Sequence, residues 1–191
     1  MGEHLEGRHG ASSSKGRPMG HVSEDRFEQL ILPHLDDAYT LARYLLRDVH
    51  DAQDAVQEAA LRAFRYFDSY RGGDARAWFL AIVRNCCHTW KRQQGDLRTI
   101  ALVDTHVELP HESYATDDAA IGASERENIE RIMAELPNEF REVLVLRELQ
   151  ELSYVQIGEV LGVPIGTVMS RLSRARKRVA ARLGGHAKEA S

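Results

Sequence analysis

Hydrophobic residues recur at helical spacing along most of the chain, and the clearest pattern lies in its C-terminal third. Ser153 can cap a helix, because its hydroxyl accepts a free backbone N–H of the first turn. Ile157, Val160 and Leu161 then fall on one face, and Gly162 can take the left-handed conformation that ends a helix. This pattern predicts a short helix followed by a tight turn.

A second helix is predicted after the turn, with Thr167 as a suitable N-cap and two distinct faces beyond it. Its apolar residues form one narrow stripe: Val168, Leu172, Ala175, Val179 and Leu183. Six basic residues and no acidic ones occur between positions 165 and 183. A lone basic helix is often a solvated surface. One that follows a capped helix and a glycine turn is typical of a helix-turn-helix that reads the DNA major groove.

Three further helices are predicted between residues 23 and 92, where apolar residues again recur at helical spacing. Ser23 is expected to cap the first helix and Asp51 to open the second. A Gly-Gly pair then breaks the chain, and Asp74 is expected to cap the third helix. Three helices of this length can share one hydrophobic core.

Helical periodicity fades between residues 93 and 123, where six acidic residues face a single basic one. We predict a flexible acidic linker here, although a simple contribution to solubility explains the charge equally well. Residues 124–184 are predicted as a second helical domain, and residues 185–191 as a short polar tail. Residues 1–22, rich in Gly, Ser and His, are expected to be a disordered tail. Met19 is an alternative natural start within that tail.

The predicted fold class is all-α, with two small helical domains joined by a flexible acidic linker and a helix-turn-helix in the C-terminal domain. The chain carries a net charge of -4, so its basic surface must be confined to one face if it binds DNA. No apolar run is long enough to span a membrane, and no secretory signal precedes the first helix. These features predict a cytoplasmic protein.

Three stretches, in this order, resemble a single protein family. They are residues 51–58 (DAQDAVQE), 78–85 (WFLAIVRN) and 152–178, which contain the helix-turn-helix. With them the chain resembles a group IV, extracytoplasmic function (ECF) sigma factor of the sigma-70 family over about residues 24–184. The resemblance implies that residues 23–92 are sigma region 2 and residues 124–184 are sigma region 4. It also implies that the linker runs through the active-site channel of RNA polymerase.

The resemblance implies that the second helix docks on the β′ clamp helices of core polymerase, and that region 4 meets the β flap. The implied polymerase contacts are Asp54, Gln57, Glu58 and Arg62. A merely solvated acidic face is the alternative interpretation of these residues. Such factors are commonly controlled by an anti-sigma factor, often membrane-anchored, and serve stress responses.

Region 2 is implied to recognise and melt the −10 promoter element. The implied contacts are Tyr70, Arg71, Trp78, Arg84, Asn85, Lys91 and Arg92. Tyr70 is the candidate wall of a pocket for a flipped base, and Asn85 can hydrogen-bond a base edge. Arg84, Lys91 and Arg92 suit the phosphates of the strand. Trp78 is more readily explained as a core residue than as a wedge in the DNA.

Region 4 is implied to read the −35 element through its second helix. The implied contacts are Thr167, Ser170, Arg171, Ser173, Arg174, Arg176, Lys177 and Arg178. Arg174 is placed to form a bidentate bond with guanine, which contributes roughly 1–3 kcal/mol of discrimination. Arg176, Lys177 and Arg178 are the candidates for phosphate contacts.

No catalytic, metal or cofactor site is predicted. Cys86, Cys87 and His88 are adjacent on a helix, where neighbouring side chains point about 100° apart and do not form a chelate by themselves. We therefore expect a non-enzymatic protein without a cofactor, a metal or a small-molecule substrate. A stand-alone helix-turn-helix regulator, usually a dimer on a palindrome, is the alternative, although no effector pocket is evident in the N-terminal half. An enzyme with an incidental basic helix is disfavoured by the absence of a reactive constellation.

Overall fold

The computed structural model describes residues 19–100 and 119–189, and the side chains of residues 24–94 and 127–183. All regular structure within these ranges is helical. The helices are α1 Met19–Ile31, α2 Leu35–Leu46, α3 Val49–Arg65, α4 Ala75–Ile100, α5 Ala119–Glu135, α6 Asn138–Leu144, α7 Tyr154–Leu161 and α8 Ile165–Glu189. Short 3-10 turns lie at Leu32–His34 and Phe67–Ser69, and a π-helical turn at Val145–Leu149 extends α6.

Helices α1 to α4 form the N-terminal domain, in which α2, α3 and α4 pack against one another. Its core includes Leu41, Phe79 and Val83, all fully buried. Asp74 caps α4 as predicted, because its Oδ1 accepts the N–H of Ala77 at 2.9 Å. The cap of α3 is Asp48 rather than the predicted Asp51, which lies in the first turn and donates its N–H to Asp48.

Several helices are longer than the sequence pattern predicted. Helix α1 begins at Met19, so Ser23 lies inside it, and α4 continues to Ile100 instead of ending near residue 92. Helix α5 begins at Ala119, ahead of the predicted start at Ser124. Side chains such as Gln, Leu and Arg favour helix even where no apolar face guides the prediction. The rest of the predicted linker, residues 101–118, and residues 1–18 and 190–191 lie outside the described residues.

Helices α5 to α8 form the C-terminal domain, and the predicted helix-turn-helix is present in it. Ser153 and Gln156 form a reciprocal capping box at the start of α7, and Gly162 ends α7 with φ 65°. Helix α8 begins at Ile165, earlier than the predicted cap at Thr167, because the Thr167 N–H already bonds to the Pro164 carbonyl. These local signals fix the turn between the two helices.

The apolar stripe of α8 is buried only where the rest of the domain covers it. Val168, Leu172 and Ala175 are at most 1% exposed, Val179 is half-buried and Leu183 is 43% exposed. Leu149, at the end of the π-helical turn, is also 50% exposed. The C-terminal part of α8 therefore contributes to an apolar surface rather than to the core.

A buried arginine closes the turn between α5 and α6. Arg141 is 1% exposed, and it donates hydrogen bonds of 2.7 Å to the carbonyl oxygens of Met133, Ala134 and Leu136. The last carbonyls of a helix have no partner within the helix, so this guanidinium takes the place of a C-cap. Burial, followed by the charge of Arg47, lowers the pKa of Arg141 to about 10, which leaves it protonated at neutral pH.

The two domains pack against each other. Helix α4 of the N-terminal domain lies against α7, and α2 lies against α6. Helix α4 is therefore covered on more than one side, and Leu80 and Cys87 are buried in addition to Phe79 and Val83. No described helix combines the length and the hydropathy that crossing a lipid bilayer requires.

Candidate nucleic-acid interface

One face of α8, the second helix of the helix-turn-helix, is directed into solvent. Ser170, Ser173, Arg174 and Lys177 are exposed on this face, while the opposite stripe packs inward. Arg174 and Lys177 pair with no other residue in the part of the chain that the structure describes. Thr167 is half-buried, and its carbonyl oxygen accepts the Ser170 hydroxyl at 3.0 Å. Two cations and two hydroxyls are thus presented to a partner outside the domain.

The basic residues that flank this face pair with the domain itself. Arg171 lies 3.4 Å from Glu139, and Arg176 lies 2.7 Å from Glu148. The guanidinium of Arg178 lies 5.0 Å from the centre of the Phe140 ring. Arg176, predicted to hold a phosphate, therefore has an acidic partner in the free protein. Exposed ion pairs of this kind contribute about 1 kcal/mol or less, so a phosphate can displace the carboxylate.

The loop before α4 carries a cluster of aromatic rings. Tyr70 stacks on Phe67 with ring centres 5.8 Å apart and lies 5.2 Å from Trp78. The Tyr70 hydroxyl donates a 2.7 Å hydrogen bond to the carbonyl oxygen of Gly73. Arg71 is exposed beside this cluster. The structure thus brings together Tyr70, Arg71 and Trp78, with Trp78 only half-buried.

Further candidate residues project from α4. Asn85 and Arg92 are exposed. In contrast, Arg84 and Lys91 are directed at the C-terminal domain, where Arg84 Nε lies 3.1 Å from Glu142 Oε2. Burial and then the charge of nearby arginines lower the pKa of Lys91 to about 8. The candidate DNA residues of α4 are therefore divided between solvent and the domain interface.

Glu142 and its contact with α4 are not among the predicted site residues. Glu142 is 1% exposed although it is charged. A usable signal was present, because Arg141 and Glu142 interrupt an otherwise apolar run from Phe140 to Leu146. Charged residues within such a run are rarely buried unless they are paired.

The candidate polymerase contacts share the outer face of α3. Asp54 and Gln57 are exposed, and Glu58 and Arg62 are partly exposed and joined by a 2.6 Å hydrogen bond. These four residues line a cleft between α3 and α4 that also contains Leu61, an apolar side chain 54% exposed. The cleft remains open to solvent when the two domains are packed together.

Cys86 and Cys87 are both buried and reduced. Burial raises the pKa of Cys87 to about 12, which makes a reactive thiolate unfavourable at neutral pH. No group of three or more His, Cys, Asp or Glu side chains suited to a metal ion occurs among the described residues. The two thiols therefore belong to the core around α4.

Comparison with known proteins identifies both domains. Residues 30–96 match the family model of sigma-70 region 2, and residues 126–179 match that of sigma-70 region 4. The ECF RNA polymerase sigma factor SigM of Mycobacterium tuberculosis is 34% identical over 181 residues, which cover 93% of this chain and 88% of that protein. The chain belongs to the ECF family of sigma factors. The predicted family and the all-α fold class are thus confirmed.

Other proteins that are similar to this chain are also sigma factors. The ECF sigma factor SigE of Mycolicibacterium smegmatis is 34% identical over 167 residues, and the match spans 63% of that longer protein. A solved structure of the sigma factor RpoE in complex with the anti-sigma factor NepR from Bartonella quintana matches 84% of this chain and 98% of that one. Its TM-score is 0.69 at 25% identity. A stand-alone helix-turn-helix regulator is not favoured by these relatives.

Proposed function

We propose that this ECF sigma factor brings core RNA polymerase to promoters with −10 and −35 elements and promotes melting of the −10 DNA. In this proposal residues 23–92 act as region 2 and residues 124–184 as region 4. The observation that carries it is the outward face of α8, where Arg174 and Lys177 have no partner among the described residues. A helix with a buried apolar stripe and an unpaired basic face is suited to the major groove.

For the −35 element, Arg174 is the proposed base reader, with Ser170, Arg171 and Ser173 beside it. Its long side chain is exposed and can reach the two acceptors of a guanine edge. Lys177, Arg176 and Arg178 are proposed to contact phosphates, the last two after leaving Glu148 and Phe140. Thr167, at the start of α8, supports this face because its carbonyl oxygen accepts the Ser170 hydroxyl.

For the −10 element, the aromatic cluster is the proposed pocket for an unstacked base. Tyr70 and Trp78 supply adjacent ring faces, and stacking on such rings contributes roughly 1–3 kcal/mol per base. Asn85 is proposed to read a base edge, and Arg71 and Arg92 are exposed near the strand that would leave this pocket. Arg84 and Lys91 are proposed to contact the same DNA strand once their contacts with region 4 are broken.

Two surfaces are proposed to hold polymerase. The α3 cleft with Asp54, Gln57, Glu58 and Arg62 would receive the β′ clamp helices, because acidic, amide and apolar groups lie together there. The apolar surface between α5 and α8 would receive the β flap. Ile129, Leu149 and Leu183 are 43–51% exposed on it, and a contiguous apolar patch of this kind marks an interaction site.

We also propose control by an anti-sigma factor, which in a membrane-anchored form would couple this protein to a signal at the cell envelope. A relative of similar fold is held by the anti-sigma factor NepR in its solved structure. The same apolar surface of region 4 would be available to such an inhibitor. An anti-sigma factor of this kind would compete with polymerase for the free protein.

The function is tested by run-off transcription on a pool of bacterial promoter fragments. Purified core polymerase is assayed alone, with the wild-type protein and with the Glu58→Lys variant. We expect transcripts with defined starts only with the wild-type protein, and strongly reduced amounts with the variant. Promoter binding by the protein alone, without any stimulated transcript, would contradict the proposal and favour a stand-alone regulator.

A further inference from the structure

Two apolar side chains are exposed at the start of α8. Ile165, its first residue, is 44% exposed, and Met169 is 54% exposed. They lie four residues apart, so they are neighbours on the helix surface. Single exposed apolar residues are common on proteins and need no explanation. This pair differs because it lies in the first two turns of the helix, beside the exposed Ser170 and Ser173.

Met169 borders the exposed basic face of α8 rather than the hydrophobic core. Val168 and Leu172 are buried on the inner side of the helix. At about 100° per residue, the side chain of Met169 is directed well away from that of Val168. Ser173, four residues later, is its neighbour along the helix. A molecule that contacts the serines of this face therefore meets the methionine as well.

Gly166 leaves an open space next to Met169, which follows it by three residues. A Cβ at this position would meet no atom within 4 Å, and the backbone is not in the left-handed region. Neither the packing nor the backbone therefore requires a glycine here, although glycine is less favourable than alanine inside a helix. A glycine of this kind suits a place where another molecule approaches the backbone closely.

The major groove of DNA offers one apolar group that Met169 can recognise. Thymine alone among the four bases carries a 5-methyl group there, and apolar side chains contact it. The first residues of a recognition helix are those that reach base edges. Methionine is unbranched and flexible, so its terminal methyl group can adapt to the position of a thymine. A phosphate offers no apolar surface, so a phosphate contact does not suit this side chain.

We propose that Met169 is a specificity-determining residue of the −35 interface, which recognises the 5-methyl group of one thymine in the major groove. Ile165 flanks this contact, and Gly166 leaves room for the DNA. The −35 element then contains an A·T pair in addition to the guanine proposed for Arg174. This inference rests on the proposed function, because it assumes that α8 enters the major groove.

The experiment removes the methyl group from the DNA. On a promoter found by run-off transcription, each thymine of the −35 element, on either strand, is replaced in turn by deoxyuridine, which lacks only the 5-methyl group. Binding of holoenzyme to each fragment is measured by competition. We expect one replacement to weaken binding roughly fourfold, the change that corresponds to about 0.8 kcal/mol for one buried apolar carbon.

Variants of Met169 then show whether this residue makes the contact. Glutamine has a similar length, but its polar end gains nothing from a methyl group. We expect the deoxyuridine effect to disappear in Met169→Gln and to persist in Met169→Leu. The matched control is Leu32→Ala, which removes a 44% exposed apolar side chain from region 2. This control should retain the fourfold effect.

A −35 element without an A·T pair, or one in which no deoxyuridine weakens binding, would overturn the proposal. So would a deoxyuridine effect that Met169→Gln leaves unchanged, because the methyl group would then act through the shape of the DNA. Weaker co-elution of Met169→Gln with core polymerase, with an unchanged deoxyuridine effect, would assign the apolar pair to a protein contact and also overturn it. The proposed function fails on a different result, the absence of any run-off transcript with wild-type protein, and this inference would fail with it.

Discussion

Replacing Arg141 by methionine tests how region 4 is held together. The methionine side chain has a similar length and no donor, so the carbonyl oxygens of Met133, Ala134 and Leu136 lose hydrogen bonds of 2.7 Å each. Leaving a buried acceptor unsatisfied costs about 1–3 kcal/mol. The variant also avoids burying a guanidinium, which offsets part of the loss. We therefore expect region 4 to lose about 3 kcal/mol, the low end for three acceptors.

The assay is native-state hydrogen exchange read by peptide mass spectrometry, which gives the opening free energy of each domain separately. The matched control is Arg131→Met on α5, where the arginine is exposed and donates only to Asn128. Surface changes of this kind stay within about 0.5 kcal/mol. A loss in Arg141→Met no larger than in the control would show that water already satisfies these carbonyls, and would refute the reasoning.

Three further variants test the site and its scaffold. Arg174→Ala should reduce discrimination at one −35 base pair in competition binding by holoenzyme, and equal weakening on every sequence would make Arg174 a phosphate contact only. Glu58→Lys removes a single i,i+4 pair with Arg62, worth about 0.3–0.5 kcal/mol. Because this pair is weak, the thermal midpoint should stay nearly unchanged. Because the charge at the proposed polymerase contact is reversed, co-elution with core polymerase should be abolished, whereas normal co-elution would remove Glu58 from the interface. Ser153→Ala should cost region 4 about 1 kcal/mol in urea unfolding by loss of the capping box, and an unchanged midpoint would show that the cap is dispensable.

The helix-turn-helix could be predicted from the sequence because its signals are local. The capping box at Ser153, the left-handed Gly162 and the buried stripe led by Val168 each depend on a few neighbouring residues. The cap at Asp74 is of the same kind. Such signals do not depend on how the helices are arranged in the fold, which is why they correctly located the exposed basic side of α8.

The domain interface could not be predicted in this way. Glu142 interrupts an apolar run, but nothing in the sequence names its partner, and His88 is an ordinary helix-surface residue in sequence. Only packing of α6 and α7 on α4 brings the two side chains together. The same limit explains why Arg176 and Arg178 read as free phosphate contacts, although each has a partner within region 4. Long-range pairing depends on the relative placement of helices, which periodicity does not encode.

Promoter opening is the most direct test of the whole interpretation. On a promoter found by run-off transcription, permanganate oxidises thymines that are unpaired. We expect reactive thymines across the −10 element only when core polymerase and the protein are both present, together with protection of the −35 element. Protection of a palindromic site by the protein alone, without reactive thymines when polymerase is added, would contradict the assignment as an initiation factor.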